Sequence, residues 1–364
     1  MSSSVTQPDA MTEADLGRSA RLVSVVDAAV ASKVVGQREL RTALLVALMT
    51  EGHLLVESVP GLAKTLAAST LAEAVGARFS RIQCTPDLLP SDIIGTQVYD
   101  PREHLFETQL GPVHANVVLL DEVNRASAKT QSAMLEAMQE RQTSIAGEVH
   151  PLPRPFLVLA TQNPIDDEGT YVLPQAQMDR FLLKEVLDYP SIDEEVAVLG
   201  RIADGTLGSR AGEGPRGSAA GGLAPRPADG SAAGGLAPRP ADVGISLEEV
   251  VELQSLVARV HVDPAITRYI VSIVDATRRT ATLLPDDLAA YVETGASPRA
   301  SIAFFQVARA LALLAGRSYV VPDDVKQLRH AVLRHRLRLS FDALADRVQP
   351  ETVIDAVFDA VPAP

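Results

Sequence analysis

Apolar positions along this chain change their period twice. Through about residue 204, short continuous apolar runs alternate with stretches in which apolar residues recur every three or four positions. Leu22, Val25, Val26, Ala29 and Val30 have helical spacing and lead into Val34-Val35-Gly36-Gln37. Strands are predicted at Leu54–Glu57, Arg78–Cys84, Val117–Leu120, Phe156–Thr161 and Leu182–Leu187, with helices over Thr65–Val75, Ala128–Glu140 and Ile192–Ala203. This alternation is the sign of a wound α/β domain with a parallel sheet flanked by helices, bounded at residues 20–204. From Ile245 the spacing is purely helical. Leu247, Val250, Val251, Leu253, Leu256 and Val257 share one face, and further helices are predicted over Ala265–Thr280, Pro298–Ala315 and Pro322–Leu339. Pro264, Pro298 and Pro322 suit first-turn positions, with Asp263 and Ser297 as caps. Residues 245–364 are therefore expected to form an all-α domain.

Two segments fall outside these periods. Residues 1–19 are polar and read as a disordered tail. Residues 205–244 hold a tandem duplication, GSAAGGLAPRPAD at Gly217–Asp229 repeated unchanged at Gly230–Asp242. A Gly/Ala/Pro-rich unit that short cannot bury a core, so the segment reads as a flexible linker.

Composition narrows the function. With Lys+Arg 33 against Asp+Glu 46 the net charge is −13, which provides no general attraction to nucleic acid or anionic lipid. Aromatics at 4% leave little basis for stacking bases. No apolar run approaches a membrane span and the N-terminus lacks a signal pattern, so the cytoplasm is the default. Cys84 is the single cysteine, which excludes an internal disulfide and a cysteine-rich metal site.

The chemistry lies at two strand ends. Leu54-Leu55-Val56-Glu57-Ser58-Val59-Pro60-Gly61-Leu62-Ala63-Lys64-Thr65 runs an apolar strand into a small-residue turn ending in Lys-Thr. Such a turn arrays backbone N–H groups and a helix N-terminus around phosphate oxygens, lets Lys64 reach the outer phosphates and offers the Thr65 hydroxyl to Mg²⁺. The pattern departs from G-x-x-x-x-G-K-[ST] at Ser58 and Ala63. By itself it also reads as an ordinary strand-to-helix turn with a surface lysine. Val117–Leu120 then reads as a strand buried on both faces and ends in Asp121-Glu122, two carboxylates that are costly there unless a cation meets them. Ligands gather at that end of a parallel sheet. Together the motifs read as a nucleoside triphosphatase, with Asp121 supporting the metal and Glu122 activating water.

Three further pieces follow in order. Asn163 ends another apolar strand beside Glu122, placed to orient a water or simply to form an Asn-Pro turn. Arg180 precedes a strand and Arg299 opens a helix; each alone reads as surface charge. The blocks VPGLAKT, LLPSDIIGTQVYD, DEVNRASAKTQSAMLEAMQERQ, PLPRPFLVLATQNP, EGTYVLPQAQMDRF, GASPRAS, GRSYVVPDDV and HRLRL stand in one order. In that order the chain resembles a MoxR-type AAA+ ATPase over about residues 20–204 and 245–345.

The resemblance implies a P-loop core with a C-terminal helical lid, using ATP and Mg²⁺. Val35, Gly36 and Gln37 would lie along the adenine, and Pro60, Gly61, Leu62, Ala63, Lys64, Thr65 and Leu66 around the phosphates. Thr65 and Asp121 would hold the metal. Glu122 would handle the water and Asn163 would sense the γ-phosphate. Arg299 would be the lid's second sensor, coupling lid angle to nucleotide state, and Arg180 the finger reaching into a neighbouring subunit. A homo-hexameric ring, a protein client and an adaptor with a von Willebrand factor A domain follow from the same likeness. In that family Ala63 is the normal residue before the lysine, whereas the counterpart of Ser58 is glycine. If the turn required positive φ there, serine would cost about 1–3 kcal/mol. Val172 and Gln175 stand where proline and glutamate are usual, and His114 where an aromatic is. Asp92–Pro112 resembles an insertion and Gln142–Pro155 a hairpin that line a ring face or pore. Two other readings stay open: a nucleotide-dependent machine acting on DNA, and a weakly hydrolysing, nucleotide-gated scaffold.

Overall fold

The computed structural model describes residues 11–59, 62–163, 171, 173–204 and 244–364. Most of the 205–244 linker, the start of the 1–19 tail, Pro60, Gly61 and Val172 lie outside the described residues.

The chain opens with α1 (Glu13–Lys33) and α2 (Arg38–Met49). α1 begins inside the expected tail. Thr12 Oγ1 accepts the Asp15 N–H at 3.2 Å while Asp15 Oδ2 accepts the Thr12 N–H at 3.0 Å, a reciprocal cap. Arg259 then pairs with Asp15 at 2.8 Å. The tail reading is thus corrected from Thr12 onward, because polar composition there reflects a helix with one exposed face, with Ser19 and Leu22 buried on the other.

Five parallel strands form the sheet: β1 (Leu54–Ser58), β2 (Phe79–Gln83), β5 (Val117–Asp121), β8 (Leu157–Gln162) and β9 (Leu183–Leu187), in the order β2-β5-β8-β1-β9. Between them lie α3 (Lys64–Ala74), α4 (Pro90–Ile94), the hairpin β3 (Gly95–Asp100) and β4 (Leu105–Leu110), α5 (Ala128–Glu140), the hairpin β6 (Gln142–Ile145) and β7 (Glu148–Pro151), and α6 (Gln175–Met178). Successive strand residues enter opposite cores. Leu54 and Val56 join one cluster with α2, α3 and the lid, while Leu55, Val118 and Leu120 join another with α5. Truncating Leu55 to alanine would cost about 2–5 kcal/mol.

After α7 (Ile192–Ala203) come α8 (Leu247–Arg259), α9 (Pro264–Ala276), α10 (Thr280–Leu283), α11 (Asp286–Ala290), β10 (Val292–Thr294), α12 (Pro298–Leu314), α13 (Pro322–Gln327), α14 (Arg329–Leu333), β11 (Arg338–Leu339), α15 (Phe341–Ala345) and α16 (Pro350–Ala360). Asp263 and Ser297 cap α9 and α12 through their side chains, each ahead of a first-turn proline. The single helix expected over Pro322–Leu339 is broken at Leu328, where ψ swings to 28°. Its second half turns back to meet the sheet. Among the described residues no helix is long and apolar enough to cross a membrane.

Candidate nucleotide site

The phosphate cradle forms where β1 hands over to α3. Ala63 is the N-cap of α3 with φ 52° and ψ 19°, and no side chain caps the helix. Its first-turn N–H groups and positive dipole end therefore face outward with no acidic residue in that turn. The strain expected at Ser58 is not found. Ser58 closes β1 in extended backbone, buried, with its Oγ donating to the Val59 carbonyl at 3.1 Å. Among the described residues of the turn Ala63 is left-handed, at a cost of about 1–2 kcal/mol.

Lys64 Nζ reaches the Ser58 carbonyl at 3.5 Å. Burial lowers its pKa against the opposing pull of Asp121 and Glu122, whose carboxylates face it. A half-buried cation beside two anions is a pocket poised for a further anion and a divalent ion.

β5 and its neighbours fix those carboxylates. The Thr161 hydroxyl on β8 donates to Asp121 Oδ1 at 2.7 Å and accepts the Glu122 N–H at 2.9 Å. From β2, Arg81 meets Asp121 Oδ2 at 2.6 Å and the Gln83 amide donates to Glu122 Oε2 at 3.4 Å. Glu122 leaves the strand with φ 56° and pairs with Arg125 at 3.2 Å. Asn163 follows β8, and its carbonyl accepts the Asn124 amide at 3.4 Å. Lys64, Asp121, Glu122 and Asn163 thus lie at the C-terminal strand ends, with Thr65 following Lys64 in the first turn of α3. Thr161, Arg81 and Gln83 were not singled out from sequence; they act across strands, and only the register Gln83↔Asp121 and the β5–β8 pairing reveal them. The donor set suits Mg²⁺, which takes oxygen ligands and is commonly shared between one or two carboxylates and substrate phosphates. Among the described residues no three His, Cys, Asp or Glu could enclose a metal on their own.

Next to the cradle, Val35, Gln37, Leu62, Ala63 and Leu66 line a cavity of about 410 Å³. Tyr189, Pro190, Val198 and Leu199 complete it from the β9–α7 junction, a contribution that sequence reading missed. Gly36 does not line it. With φ +64° and the Glu194 carboxylate 2.1 Å from where a Cβ would sit, it is the residue that allows the chain to turn there. Gln37, also left-handed, buries a side-chain oxygen that has no partner. A largely apolar slot with Lys33 and Glu195 among its lining and the unpartnered Gln37 oxygen suits a flat amine-bearing ring.

The two arginines stand elsewhere. Arg180 and Arg299 line a separate cavity of about 480 Å³ with His53, Asp179 and Arg336. It lies at the N-terminal strand ends, where the Leu182 N–H donates to the His53 carbonyl at 2.8 Å. Lys64 is at the other end of β1, whose five residues span about 17 Å. Arg299 Nη1 is 3.6 Å from Asp179 and the buried Arg180 Nε has no acceptor. Arg299, expected as the lid's second sensor, stands in this chain beside Asp179 and Arg180 and not beside Lys64.

A parallel sheet with a phosphate cradle at its C-terminal edge and a docked helical lid defines a P-loop ATPase of the AAA class. Residues 53–183 match the ATPase family associated with various cellular activities (AAA), and residues 287–357 match the AAA lid domain. The chain is 46% identical over 331 residues to Chaperone MoxR1 of Mycobacterium tuberculosis, covering 91% of this chain and 79% of that protein. It is 30% identical over 363 residues to Protein MoxR of Paracoccus denitrificans, covering 93% and 95%. The crystal structure of a candidate ATPase from Cytophaga hutchinsonii superposes with a TM-score of 0.81 at 36% identity, covering 97% of this chain and 98% of that one. The protein belongs to the MoxR family of AAA+ ATPases.

Proposed function

We propose that this ATPase assembles into a homo-hexameric ring, hydrolyses ATP at the seams between subunits and uses the cycle to remodel a protein client. One observation carries the reading: within a chain, Arg180 and Arg299 lie a strand's length away from Lys64, Asp121 and Glu122, at the opposite edge of the sheet. A transferring phosphoryl group needs positive charge on its outer oxygens. A second copy presenting its arginine face to the cradle supplies that charge.

In this reading the adenine enters the Val35–Gln37 slot and the phosphates meet the N-terminus of α3 and Lys64. Thr65 and Asp121 would hold Mg²⁺, which when bound would supply positive charge to the phosphates. Glu122, once turned from Arg125 and Gln83, takes the proton of the attacking water, and Asn163 orients that water against the γ-phosphate. The Glu122 N–H is held by the Thr161 hydroxyl at 2.9 Å, which anchors its backbone.

The chaperone-like role has support in the name of the Mycobacterium relative. The hairpin β3–β4 presents Leu105 and Phe106 at 63% and 67% exposure, a surface suited to an unfolded or apolar client segment. The net charge of −13 disfavours the DNA-acting alternative. The site network around Glu122 disfavours a non-hydrolysing scaffold. An adaptor with a von Willebrand factor A domain is the partner the family likeness suggests. A cytoplasmic setting suits a chain with one buried free thiol.

The test is complementation. Arg180→Ala and Lys64→Ala proteins should each be nearly inactive, and mixing them should restore turnover at seams that pair an intact cradle with an intact finger. Inactive mixtures that still assemble would rule out hydrolysis in trans.

A further inference from the structure

Arg336 follows α14 in the lid and is 4% exposed, an unusual place for a guanidinium. Every one of its donors is engaged. Nε meets Asp179 Oδ1 at 3.0 Å; Nη1 donates to the Leu182 carbonyl at 3.2 Å and to the Val332 carbonyl; Nη2 donates to the Phe181 carbonyl at 2.6 Å and lies 3.5 Å from the Asp179 carbonyl. Four of these acceptors belong to Asp179, Phe181 and Leu182, the residues that bracket Arg180. The preceding lid residue, His335, donates Nε2–H to the same Phe181 carbonyl at 3.1 Å. Gln175 returns the contact by donating its amide to the His335 carbonyl at 2.7 Å, which the glutamate usual at that position would not do when ionised.

The second carboxylate oxygen of Asp179 faces the lid as well. It accepts the Ser297 hydroxyl at 2.7 Å and stands 3.6 Å from Arg299. One carboxylate and one guanidinium therefore tie Arg180 and Arg299, which both line the 480 Å³ cavity, to a single frame, part core and part lid. A lysine at 336 has three donors on one point and cannot reach carbonyls on three residues at once.

Resting on the reading that Arg180 acts on a neighbouring subunit, we infer that Arg336, with Asp179, is a positioning residue that locks the finger segment to the lid. Arg180 and Arg299 are then presented at fixed spacing as one unit. Lid orientation in one subunit is thereby transmitted to hydrolysis in the next, without altering nucleotide affinity in its own cradle. Arg336 touches no reacting atom in this scheme; it acts through the backbone on either side of Arg180.

The experiment compares full-length Arg336→Lys and Asp179→Asn proteins with wild type, the second being isosteric in case the first fails to fold. Both are measured for binding of a fluorescent ATP analogue, for kcat, for assembly by light scattering and for turnover after mixing with Lys64→Ala protein. The expected result is an analogue affinity within about twofold of wild type and a kcat lower by about 10- to 100-fold, the scale of a small misplacement of a catalytic group. Turnover should be restored by the Lys64→Ala partner, which contributes an intact finger, and should not be restored by Arg180→Ala. If Arg180→Ala is rescued by Lys64→Ala while neither positioning variant is, hydrolysis in trans stands and the positioning role is overturned. If no pair is rescued, the trans reading falls and takes the inference with it. Wild-type kcat in a folded, assembled Arg336→Lys protein overturns the role directly.

Discussion

The Thr161 hydroxyl has two partners, and they belong to the adjacent carboxylate residues Asp121 and Glu122. By donating to Asp121 and accepting from the Glu122 N–H, it sets one carboxylate's orientation and the other's backbone at the same time. Thr161→Val keeps shape but strands a buried N–H and frees Asp121 Oδ1. We predict a loss of about 1–3 kcal/mol in stability and a fall in kcat of about tenfold or more, since one preorganised group is loosened. Urea unfolding and steady-state phosphate release check the two parts; unchanged kcat would mean that Arg81 alone orients Asp121. Lys64, Thr65, Asp121 and Glu122 were readable in the sequence because each motif is a run of consecutive residues. Thr161 and Arg81 were not, because their roles exist only in the register between strands. The concern over Ser58 arose from transferring a glycine's φ to a position that the fold leaves extended.

At the level of elements, β9 shows how the lid is held. Glu185 on β9 is 5% exposed, 3.8 Å from Arg334, which also pairs with Glu351 at 2.9 Å. Burial, offset in part by Arg334, pushes the Glu185 pKa up from 4.5 to about 7. The folded value exceeds the unfolded one, so this carboxyl's stabilising contribution is complete below about pH 4.5 and is lost as pH rises through 7. The shift corresponds to roughly 3 kcal/mol. Glu185→Gln should therefore flatten the stability profile between the two values and leave the variant more stable than wild type at alkaline pH. Parallel denaturation series at acidic and alkaline pH measure this, and identical slopes for both proteins would count against it. The five parallel strands were legible nearly to the residue, since a buried parallel strand is a bounded apolar run, whereas the expectation of an all-α lid is corrected by the short antiparallel pair β10–β11. The break at Leu328 was not legible: Pro322–Leu339 has continuous helical spacing, yet the chain leaves the helix at Leu328, and further on Arg336 binds the Phe181 and Leu182 carbonyls.

Across the whole molecule, sheet and lid share one apolar interior. Leu44, Val56 and Leu71 belong to the same buried cluster as Val250, Ile270, Phe304, Val332 and Ile354, and Gln254 ties α8 to the Leu48 carbonyl at 2.8 Å. The lid therefore should not melt separately. Calorimetry of the nucleotide-free chain should give one transition, and two resolved transitions would mean that the interface is weaker than this continuity implies. Neither the strand order nor the lid's docking direction could be read from sequence, because the segments that meet at Asp179 lie far apart along the chain. That docking has a consequence for turnover. It points Arg180 and Arg299 away from the cradle of their own chain, while Arg81 and Arg125 beside that cradle are already paired with Asp121 and Glu122. Arginine fingers contribute about 10³–10⁵ in rate where they act. Specific activity should consequently rise steeply with protein concentration from the nanomolar to the micromolar range, with a midpoint matching assembly seen by light scattering. An Arg180→Ala protein should assemble over the same range and stay flat in turnover. A wild-type enzyme with constant specific activity when diluted to monomer would show that one chain completes the site alone.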